Sequence, residues 1–173
     1  PHPLSRRHRQ MCIRDSIPRL PIGILTADCV PILIYDKKKK MVAAIHAGWK
    51  GAYKGIISKV INFMIKKGCE KKNIIAVIGP CIAQKSYNVK EDFKRKFLKK
   101  DKRNKVFFKK RKNLIYFDLS KYVKLQLKLM KITNLETINI DTFPKKNNFF
   151  SARRSLHLNH DDYGRNISLI MIN

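Results

Sequence analysis

The stretch 22–51 constrains the fold more than any other part of the chain, because three short apolar runs there are separated by polar turns. The runs 22–25, 30–35 and 41–45 are rich in β-branched residues, which is typical of short buried strands. Residues 36–40 are charged, so we expect the second and third runs to pair as an antiparallel hairpin around them. In that hairpin, facing residues have numbers that sum to about 75.

The predicted pairing brings together two side chains that are common metal ligands. Cys29 lies opposite His46, and directly opposed residues share a face of the sheet with Cβ atoms roughly 5 Å apart. Zinc bonds to sulfur and nitrogen, of roughly 2.1–2.3 Å, fit across that gap. The alternative interpretation is a small buried cysteine and a hydrogen-bonded histidine at a strand end.

Strands and helices alternate along the chain, which predicts an α/β fold with a mixed sheet and packed helices. Further strands are expected at three apolar runs, over 73–78, 138–141 and 167–172. Helices are expected where apolar residues recur at helical spacing, over 52–67, 86–97 and 118–131, the last with Asp118 as its N-cap. The highly charged stretch 99–112 is expected to be a solvated loop or a frayed helix end.

The composition bounds the class of protein. With 173 residues and 44% hydrophobic residues, the chain can bury one core, and its sequence has no run of about 18 apolar residues typical of a transmembrane helix. Its four cysteines show no paired spacing and indicate reduced thiols of a cytoplasmic protein. The net charge of +27 comes from lysines spread along the chain without a nucleic-acid-binding motif. We therefore expect no specific nucleic-acid partner and no membrane partner.

The start of the chain differs in composition from the rest. Five of the eleven arginines fall within residues 1–19, and none of the 28 lysines do. Part of this segment also resembles a translated sequencing-adapter sequence. We expect residues 1–18 to be a non-native or disordered segment without function, and residues 19–173 to form the domain. An arginine-rich disordered tail is the alternative.

Four motifs occur in order along the chain. They are Thr26-Ala-Asp-Cys-Val-Pro-Ile-Leu33, His46-Ala-Gly-Trp-Lys-Gly51, Ile78-Gly-Pro-Cys-Ile82 with Tyr87-Asn-Val89, and Phe149-Phe-Ser-Ala-Arg-Arg154 with Gly164-Arg165. In these motifs the chain resembles the YfiH-like family over residues 20–173. That family has also been described as the laccase-domain or multi-copper polyphenol oxidoreductase family, and as a family of zinc-dependent purine nucleoside phosphorylases.

The resemblance implies a cytoplasmic zinc enzyme whose partners are purine nucleosides and phosphate. It implies phosphorolysis of adenosine, inosine, guanosine and methylthioadenosine, together with deamination of adenosine. It further implies that Cys29 and His46 bind the metal with a third ligand, the His of a Gln-x-His motif that precedes Thr26 in relatives. No such motif precedes Leu20 here. We therefore expect a partial domain, a layered sandwich without its N-terminal strands, with an incomplete zinc site and copper as the alternative metal.

Two further groups of candidate site residues complete the prediction. Asp28, beside Cys29, is a candidate to orient a ligand or move a proton during catalysis. Arg153 and Arg154 interrupt a lysine-dominated region and offer planar guanidinium groups suited to phosphate. An exposed pair or an internal salt bridge is the alternative for these arginines. His157, in the polar loop that follows, is expected to be solvated.

The turn after the third strand run supplies the remaining candidates. Gly48 permits close approach of the backbone to a ligand, and Trp49 and Lys50 follow it at the start of the helix predicted over 52–67. The N-terminus of a helix can attract an anion such as phosphate. The alternatives are an ordinary strand-to-helix turn and a tryptophan that only packs.

Three other functions stay open from the residues alone. Cys29 with His46 as its base suits a metal-free hydrolase. Members of the family have also been described as peptidoglycan-editing factors or copper polyphenol oxidases, although one Cys and one His are too few for several coppers. Finally, the charge would suit a basic module that binds polyanions without catalysis.

Overall fold

The computed structural model describes residues 11–15, 18–160 and 163–173 of the chain, and for 11–15 it describes the strand without its side chains. The strands are β1 (Met11–Asp15), β2 (Ile22–Thr26), β3 (Val30–Asp36), β4 (Met41–Ala47), β5 (Ile74–Ile78), β6 (Asn88–Val89), β7 (Phe108–Arg111), β8 (Leu114–Phe117), β9 (Asn134–Thr137) and β10 (Asn166–Ile170). The α-helices are α1 (Trp49–Tyr53), α2 (Ile56–Lys66), α3 (Glu91–Lys100), α4 (Leu119–Leu129) and α5 (Ala152–His157).

The central sheet has five strands in the order β1-β4-β3-β5-β9. β5 and β9 are parallel, whereas the other neighbouring pairs in this sheet are antiparallel. A two-stranded sheet of β10 and β2 and a three-stranded sheet of β6, β8 and β7 accompany it. The predicted α/β fold with a mixed sheet and packed helices is therefore confirmed. Within the described residues, none of the helices has the length and apolar character needed to span a bilayer.

Both faces of the central sheet are covered, because its strands alternate between two apolar clusters. On one face, Ile32 and Ile45 belong to the main core, together with Ile57 of α2. On the other face, Val42 packs in a smaller cluster with Ile24 of β2. The two-stranded sheet therefore lies over the face of β4 opposite to α2, and side chains of β4 are enclosed on both sides.

β3 and β4 form the predicted hairpin, but the register differs by two residues from the prediction. Pro31, rather than Cys29, lies opposite His46. Asp36 belongs to β3 instead of the turn, since it pairs with Met41 of β4, and its carboxylate accepts hydrogen bonds from two backbone N–H groups of the turn at 2.9 and 2.8 Å. Because side chains alternate with a period of two residues, this shift leaves Cys29 in phase with the same face as His46.

The single helix predicted over 52–67 is in fact two helices. α1 and α2 are separated by Gly55, which has a left-handed backbone with φ of 78°. The apolar periodicity of α2 is nevertheless as predicted, with Ile57, Val60 and Ile61 fully buried. Hydrophobic spacing indicated the buried face, but it carried no information about a break where glycine permits a left-handed residue.

Two other predictions were wrong about where strands form. The lysines and arginines of the stretch 99–112 are exposed as predicted, but the stretch is not a loop, because a 3-10 helix over Lys102–Phe107 leads into β7, which pairs with β8 as a hairpin. The strand expected over 138–141 lies four residues earlier, as β9, and within 138–141 Asp141 forms an isolated bridge with Cys81. Phe107 and Phe117 are buried in the main core, so tertiary packing gives a regular structure to part of the charged stretch 99–112.

The N-terminal segment differs in part from its prediction. Residues 11–15 form β1, which pairs antiparallel with β4 at the edge of the central sheet. An edge strand offers unpaired backbone groups that accept a further strand with little demand on its sequence. The rest of the predicted segment, residues 1–10 and 16–17, lies outside the described residues, and its non-native origin stays a prediction.

Candidate active site

Cys29 and His46 converge on the space above Gly48. A Cβ atom on Gly48 would lie 2.9 Å from Cys29 Sγ and 3.9 Å from His46 Nε2. The thiol and the imidazole therefore face one point, as predicted, although they are diagonal rather than opposed on the hairpin. Glycine keeps this point open, because any larger residue would place its side chain against the sulfur. This supplies a specific reason for glycine at this position.

His46 sits in an environment that keeps its ring neutral. Burial lowers the pKa of His46 below its ordinary value of 6.5, a hydrogen bond with the backbone of Leu25 opposes this shift, and the positive charge of Arg165 adds to it. A neutral imidazole with one nitrogen engaged by the backbone is the form of histidine that binds metals. β2 thus orients the histidine from the neighbouring sheet.

Cys29 is a protonated thiol at neutral pH. Burial, and to a lesser degree the negative charge of Asp28, raise its pKa from 9.0 to about 11. A thiol with this pKa is a poor nucleophile, because only the thiolate attacks. A bound metal cation reverses this preference by stabilising the thiolate directly. The electrostatics therefore favour Cys29 as a metal ligand over Cys29 as an unassisted nucleophile.

The buried carboxylate of Asp28 joins its own strand end to two distant segments of the chain. Its Oδ1 accepts a hydrogen bond from Thr142 Oγ1 at 2.7 Å, and its Oδ2 accepts from Ser151 Oγ at 2.9 Å and from the backbone N–H of Arg153 at 2.7 Å. Asp28 has a left-handed backbone with φ of 78°, and its carbonyl accepts from the N–H of Ile82 at 3.0 Å. This geometry makes Asp28 a junction between the Cys29 strand end and α5.

Two clefts open beside this junction and share Trp49, Tyr87 and Arg153 in their linings. The smaller, about 180 Å³, is also lined by Asp28 and Cys29. The larger, about 710 Å³, extends from the shared residues along β6 and the start of α3. A volume of this size, with aromatic walls and a few polar groups, is typical of small-molecule sites.

The two candidate arginines have different surroundings. The Arg153 guanidinium lies 5.2 Å from the centre of the Tyr87 ring and donates to the backbone carbonyl of Asn88 at 2.9 Å, and to the Asn88 side chain. The Arg154 guanidinium donates instead to three backbone carbonyls, including those of Thr142 at 3.1 Å and Phe143 at 2.6 Å. Arg153 faces the clefts, whereas Arg154 fastens the loop before α5.

The residues of the β4–α1 turn also divide by role. Trp49 lines both clefts and packs its ring edge-on against Phe93, with ring centres 5.0 Å apart. Lys50 is exposed, and its ammonium lies 5.5 Å from the centre of the Trp49 ring. α1 is only five residues long, so its N-terminus offers a weak dipole for an anion. Of these candidates, Trp49 is the one that borders the clefts.

The donor set fits a borderline-soft metal ion, but it is incomplete within the described part of the chain. A thiolate and an imidazole are the ligands that zinc prefers. Among the described residues, no cluster of three or more His, Cys, Asp or Glu side chains is placed to hold a metal. His157 stacks edge-on against Phe143 at 5.6 Å, far from this role. A catalytic zinc site normally has three protein ligands, so Cys29 and His46 would need one more to complete such a site.

Sequence reasoning missed the residues that support the site from a distance. Thr142 and Ser151 are 1% exposed, and both donate to Asp28. Ser151 also caps α5 by accepting a hydrogen bond from the Arg154 backbone N–H at 3.1 Å. The signal was present in part, since Ser before a short helix is a typical N-cap. Its second bond, to a residue 123 positions earlier, is visible only in the fold.

The geometry defines an α/β protein with a cysteine–histidine pair at a strand end, beside a cleft that is lined by Arg153. The sequence model of the family described as multi-copper polyphenol oxidoreductase laccase matches residues 13–173. The chain belongs to this family.

Known relatives agree with that assignment. The chain is similar to a Rickettsia conorii protein named purine nucleoside phosphorylase, with 41% identity over 150 residues that cover 86% of this chain and 61% of the relative. A Bacteroides thetaiotaomicron protein with the same name is 36% identical over 136 residues, covering 76% of this chain and 50% of the relative.

Solved structures share the fold. The crystal structure of Bacillus licheniformis hypothetical protein YfiH superposes with a TM-score of 0.81 at 29% identity, covering 95% of this chain and 61% of that one. The Neisseria meningitidis protein NMB0706 gives a TM-score of 0.82 at 26% identity, with 95% and 64% covered. The chain therefore spans about three fifths of the length of these proteins.

Proposed function

We propose that this chain carries part of the active site of a zinc-dependent purine nucleoside phosphorylase. The observation that supports the proposal most directly is the convergence of Cys29 Sγ and His46 Nε2 on the point kept open by Gly48, beside a cleft lined by Arg153. The reaction transfers the pentose of adenosine, inosine, guanosine or methylthioadenosine from the purine nitrogen to phosphate. The products are the free purine and a pentose 1-phosphate.

Cys29 and His46 would hold the zinc ion together with a third ligand, the histidine that the family resemblance implies in a region preceding the first of the shared motifs. When bound, zinc supplies Lewis-acid chemistry by polarising an oxygen atom that approaches it. The same centre suits deamination of adenosine, in which water replaces the exocyclic amine and ammonia leaves. We keep zinc as the proposed metal, with copper as the alternative, because one thiolate and imidazoles form a typical zinc set.

The cleft residues of this chain would bind and orient the substrate. The Trp49 and Tyr87 rings border the volume that a flat purine would occupy, and Arg153 lies at the junction of the two clefts. The guanidinium already contacts a neutral amide and an aromatic face instead of a carboxylate, so it keeps its charge available to phosphate. Arg154 is assigned a structural role, since backbone carbonyls occupy its donors.

Asp28 would act as a positioning residue in this proposal. Its carboxylate accepts three hydrogen bonds from protein groups, two of them from buried hydroxyls. One of these bonds holds the backbone of Arg153, so Asp28 connects the metal-ligand strand end to the anion-binding side chain. Its oxygens are engaged in holding these segments together, which favours positioning over proton transfer.

A metal-free Cys-His hydrolase is less well supported. Burial, and to a lesser degree the charge of Asp28, raise the pKa of Cys29 to about 11, which leaves little thiolate at neutral pH. Catalytic cysteines normally sit in electropositive surroundings that lower the pKa.

We expect activity in the cytoplasm, and fractionation of the source cells would test that location.

The test combines metal content with product analysis. The purified chain, alone and mixed with a segment of a relative that supplies the Gln-x-His, would be incubated with inosine in the presence and absence of phosphate. We expect phosphate-dependent release of hypoxanthine and pentose 1-phosphate from the mixture. Metal analysis is expected to find zinc retained by the mixture and lost from the Cys29→Ala variant.

Cys69→Ala is the matched control, because Cys69 is a buried free cysteine whose thiol contacts Met41 Sδ at 3.7 Å. It should retain zinc and activity. Equal loss of zinc in the Cys29→Ala and Cys69→Ala variants would refute the assignment of the ligand. Nucleoside cleavage that proceeds equally well without phosphate would refute phosphorolysis in favour of hydrolysis.

A further inference from the structure

A second concave surface, separate from the proposed active site, lies where α4 begins and β9 ends. This groove of about 570 Å³ is lined by residues from four chain segments. None of its lining residues lines either cleft beside Cys29. Four of them are lysines, Lys85, Lys121, Lys124 and Lys146, and we call this surface the lysine groove.

The acidic side chains of the lysine groove are already engaged with the protein itself. Asp118 Oδ1 accepts from the Lys121 backbone N–H at 2.8 Å as the N-cap of α4. Asp141 Oδ1 accepts from the N–H groups of Ala83 and Phe143, both at 3.1 Å, and its Oδ2 accepts from Ser86 Oγ at 2.7 Å. These carboxylates serve as caps for backbone and hydroxyl donors.

The four lysines have no such partners. Among the described residues, none of the ion pairs within 4.0 Å involves a lysine of this groove. Three are exposed, while Lys124 is half-buried on the second turn of α4. Four lysines against the two aspartates leave the lining of the groove with a net charge of +2, which attracts a polyanion. Their arrangement around a hollow distinguishes them from the lysines that extend singly from the surface.

The backbone and neutral side chains add to this preference for an anion. The groove lies at the carboxyl ends of the parallel strands β5 and β9 and at the N-terminal end of α4, which is where α/β folds bind ligands. Gln84, Asn139 and Asn147 contribute amide groups to the lining, of which Gln84 already donates one hydrogen bond to the Phe107 carbonyl and Asn147 one to the Asp141 carbonyl. Thr137, also in the lining, has the single buried side-chain polar atom without a hydrogen-bond partner among the described residues.

We propose that the lysine groove binds a small molecule that carries a di- or triphosphate group. Several ammonium groups and amides around one hollow match a compact anion with several negative charges better than a single phosphate. The groove volume lies within the range of small-molecule sites, so it accommodates the phosphates alone or with an attached nucleoside. This binding is independent of the proposed phosphorolysis.

The test is calorimetric titration of the full chain with tripolyphosphate, ATP and adenosine at about 150 mM salt, which screens diffuse attraction. Tripolyphosphate and ATP should bind, and adenosine should not bind to this site. The Lys121→Gln, Lys124→Gln double variant should weaken tripolyphosphate binding by at least about tenfold. The matched control is Lys109→Gln with Lys110→Gln, two exposed lysines of β7 outside the groove, which should change affinity by less than about twofold.

The outcomes separate the possible origins of binding. Equal affinities for tripolyphosphate and ATP identify the phosphate group as the whole ligand, whereas much tighter ATP binding identifies a nucleotide. Equal weakening in the two double variants would overturn the proposal, since charge alone would then explain binding. Loss of binding in Arg153→Met, with retention in the groove variant, would overturn it as well by placing the anion in the cleft beside Cys29.

Discussion

Removal of the Asp28 carboxylate should destabilise the protein more than any ordinary surface substitution. Asp28 is 8% exposed, and its oxygens accept from Thr142, Ser151 and the Arg153 backbone. In Asp28→Ala all three donors lose their acceptor inside the protein. The two hydroxyls can rotate to other partners, but the backbone N–H of Arg153 cannot.

The magnitude follows from these contacts. A buried donor left without a partner costs about 1–3 kcal/mol, and the left-handed backbone costs an alanine roughly 1 kcal/mol more. We expect Asp28→Ala to lower the free energy of unfolding by about 3–5 kcal/mol, a large share of the 5–15 kcal/mol typical of a domain. Asp28→Asn keeps one acceptor oxygen and suits φ of 78°, so its loss should be about 1–2 kcal/mol.

Urea unfolding in the presence of a chelator measures this difference without a contribution from bound metal. The chain has one tryptophan, Trp49, whose fluorescence reports the site, while far-ultraviolet circular dichroism reports the whole fold. Asp118→Ala is the matched control, because that aspartate caps α4 with one hydrogen bond of 2.8 Å and should lose about 1 kcal/mol. A loss in Asp28→Ala no larger than in this control would refute the role of Asp28 as a junction.

Four further predictions follow from the site. Gly48→Ala should weaken cobalt binding by at least about tenfold, because the new Cβ would lie 2.9 Å from Cys29 Sγ. The absorption band from thiolate to metal measures the binding, and an unchanged affinity would contradict this geometry. Iodoacetamide should modify Cys29 about tenfold faster for each pH unit between 7 and 9, as its pKa of about 11 requires, and a flat profile in peptide mass spectra would disprove the protonated thiol. The free energy of unfolding should fall as pH drops below about 6.5, because His46 then takes up a proton more readily in the unfolded chain than in the folded one. In urea titrations, the His46→Gln variant should lack this part of the pH dependence. Arg154→Met should have a free energy of unfolding about 1–2 kcal/mol lower than Arg153→Met, because of the two arginines Arg154 is the one that donates to the loop carbonyls. The reverse order in urea unfolding would exclude this assignment.

Hydrophobic patterning was sufficient to predict most of the central sheet. The apolar runs became β3, β4 and β5 of that sheet and β2 of the two-stranded sheet nearly as expected, because short strands enclosed on both faces need apolar residues throughout. The helix capped by Asp118 also formed as predicted, with its side chain accepting from the Lys121 N–H. These features depend on interactions between residues close in sequence, or on burial that any compact fold would supply.

Patterning failed where distant segments decide the local structure. β7 forms in a lysine-rich stretch because Phe107 and Phe117 join the aromatic cluster around Phe97, with rings of Phe97 and Phe117 centred 4.8 Å apart. β9 pairs in parallel with β5, and its partner rather than its own apolar residues sets its position. The charge of the segment correctly indicated exposed lysines and arginines, but it gave no sign of the hairpin beside the buried aromatic rings.

The sequence by itself determined the identity of the candidate metal ligands and the alternation that places Cys29 and His46 on one face. Because side chains alternate with a period of two residues, an error of two in the register leaves Cys29 and His46 on the same face, so their convergence did not depend on the turn being predicted correctly. Only the tertiary structure decided how Asp28 joins Thr142 and Ser151 across more than one hundred residues, and which arginine faces the cleft. The physical reason is that a buried carboxylate accepts hydrogen bonds from whatever donors the fold places beside it, and the spacing of residues in the sequence does not predict which donors these are.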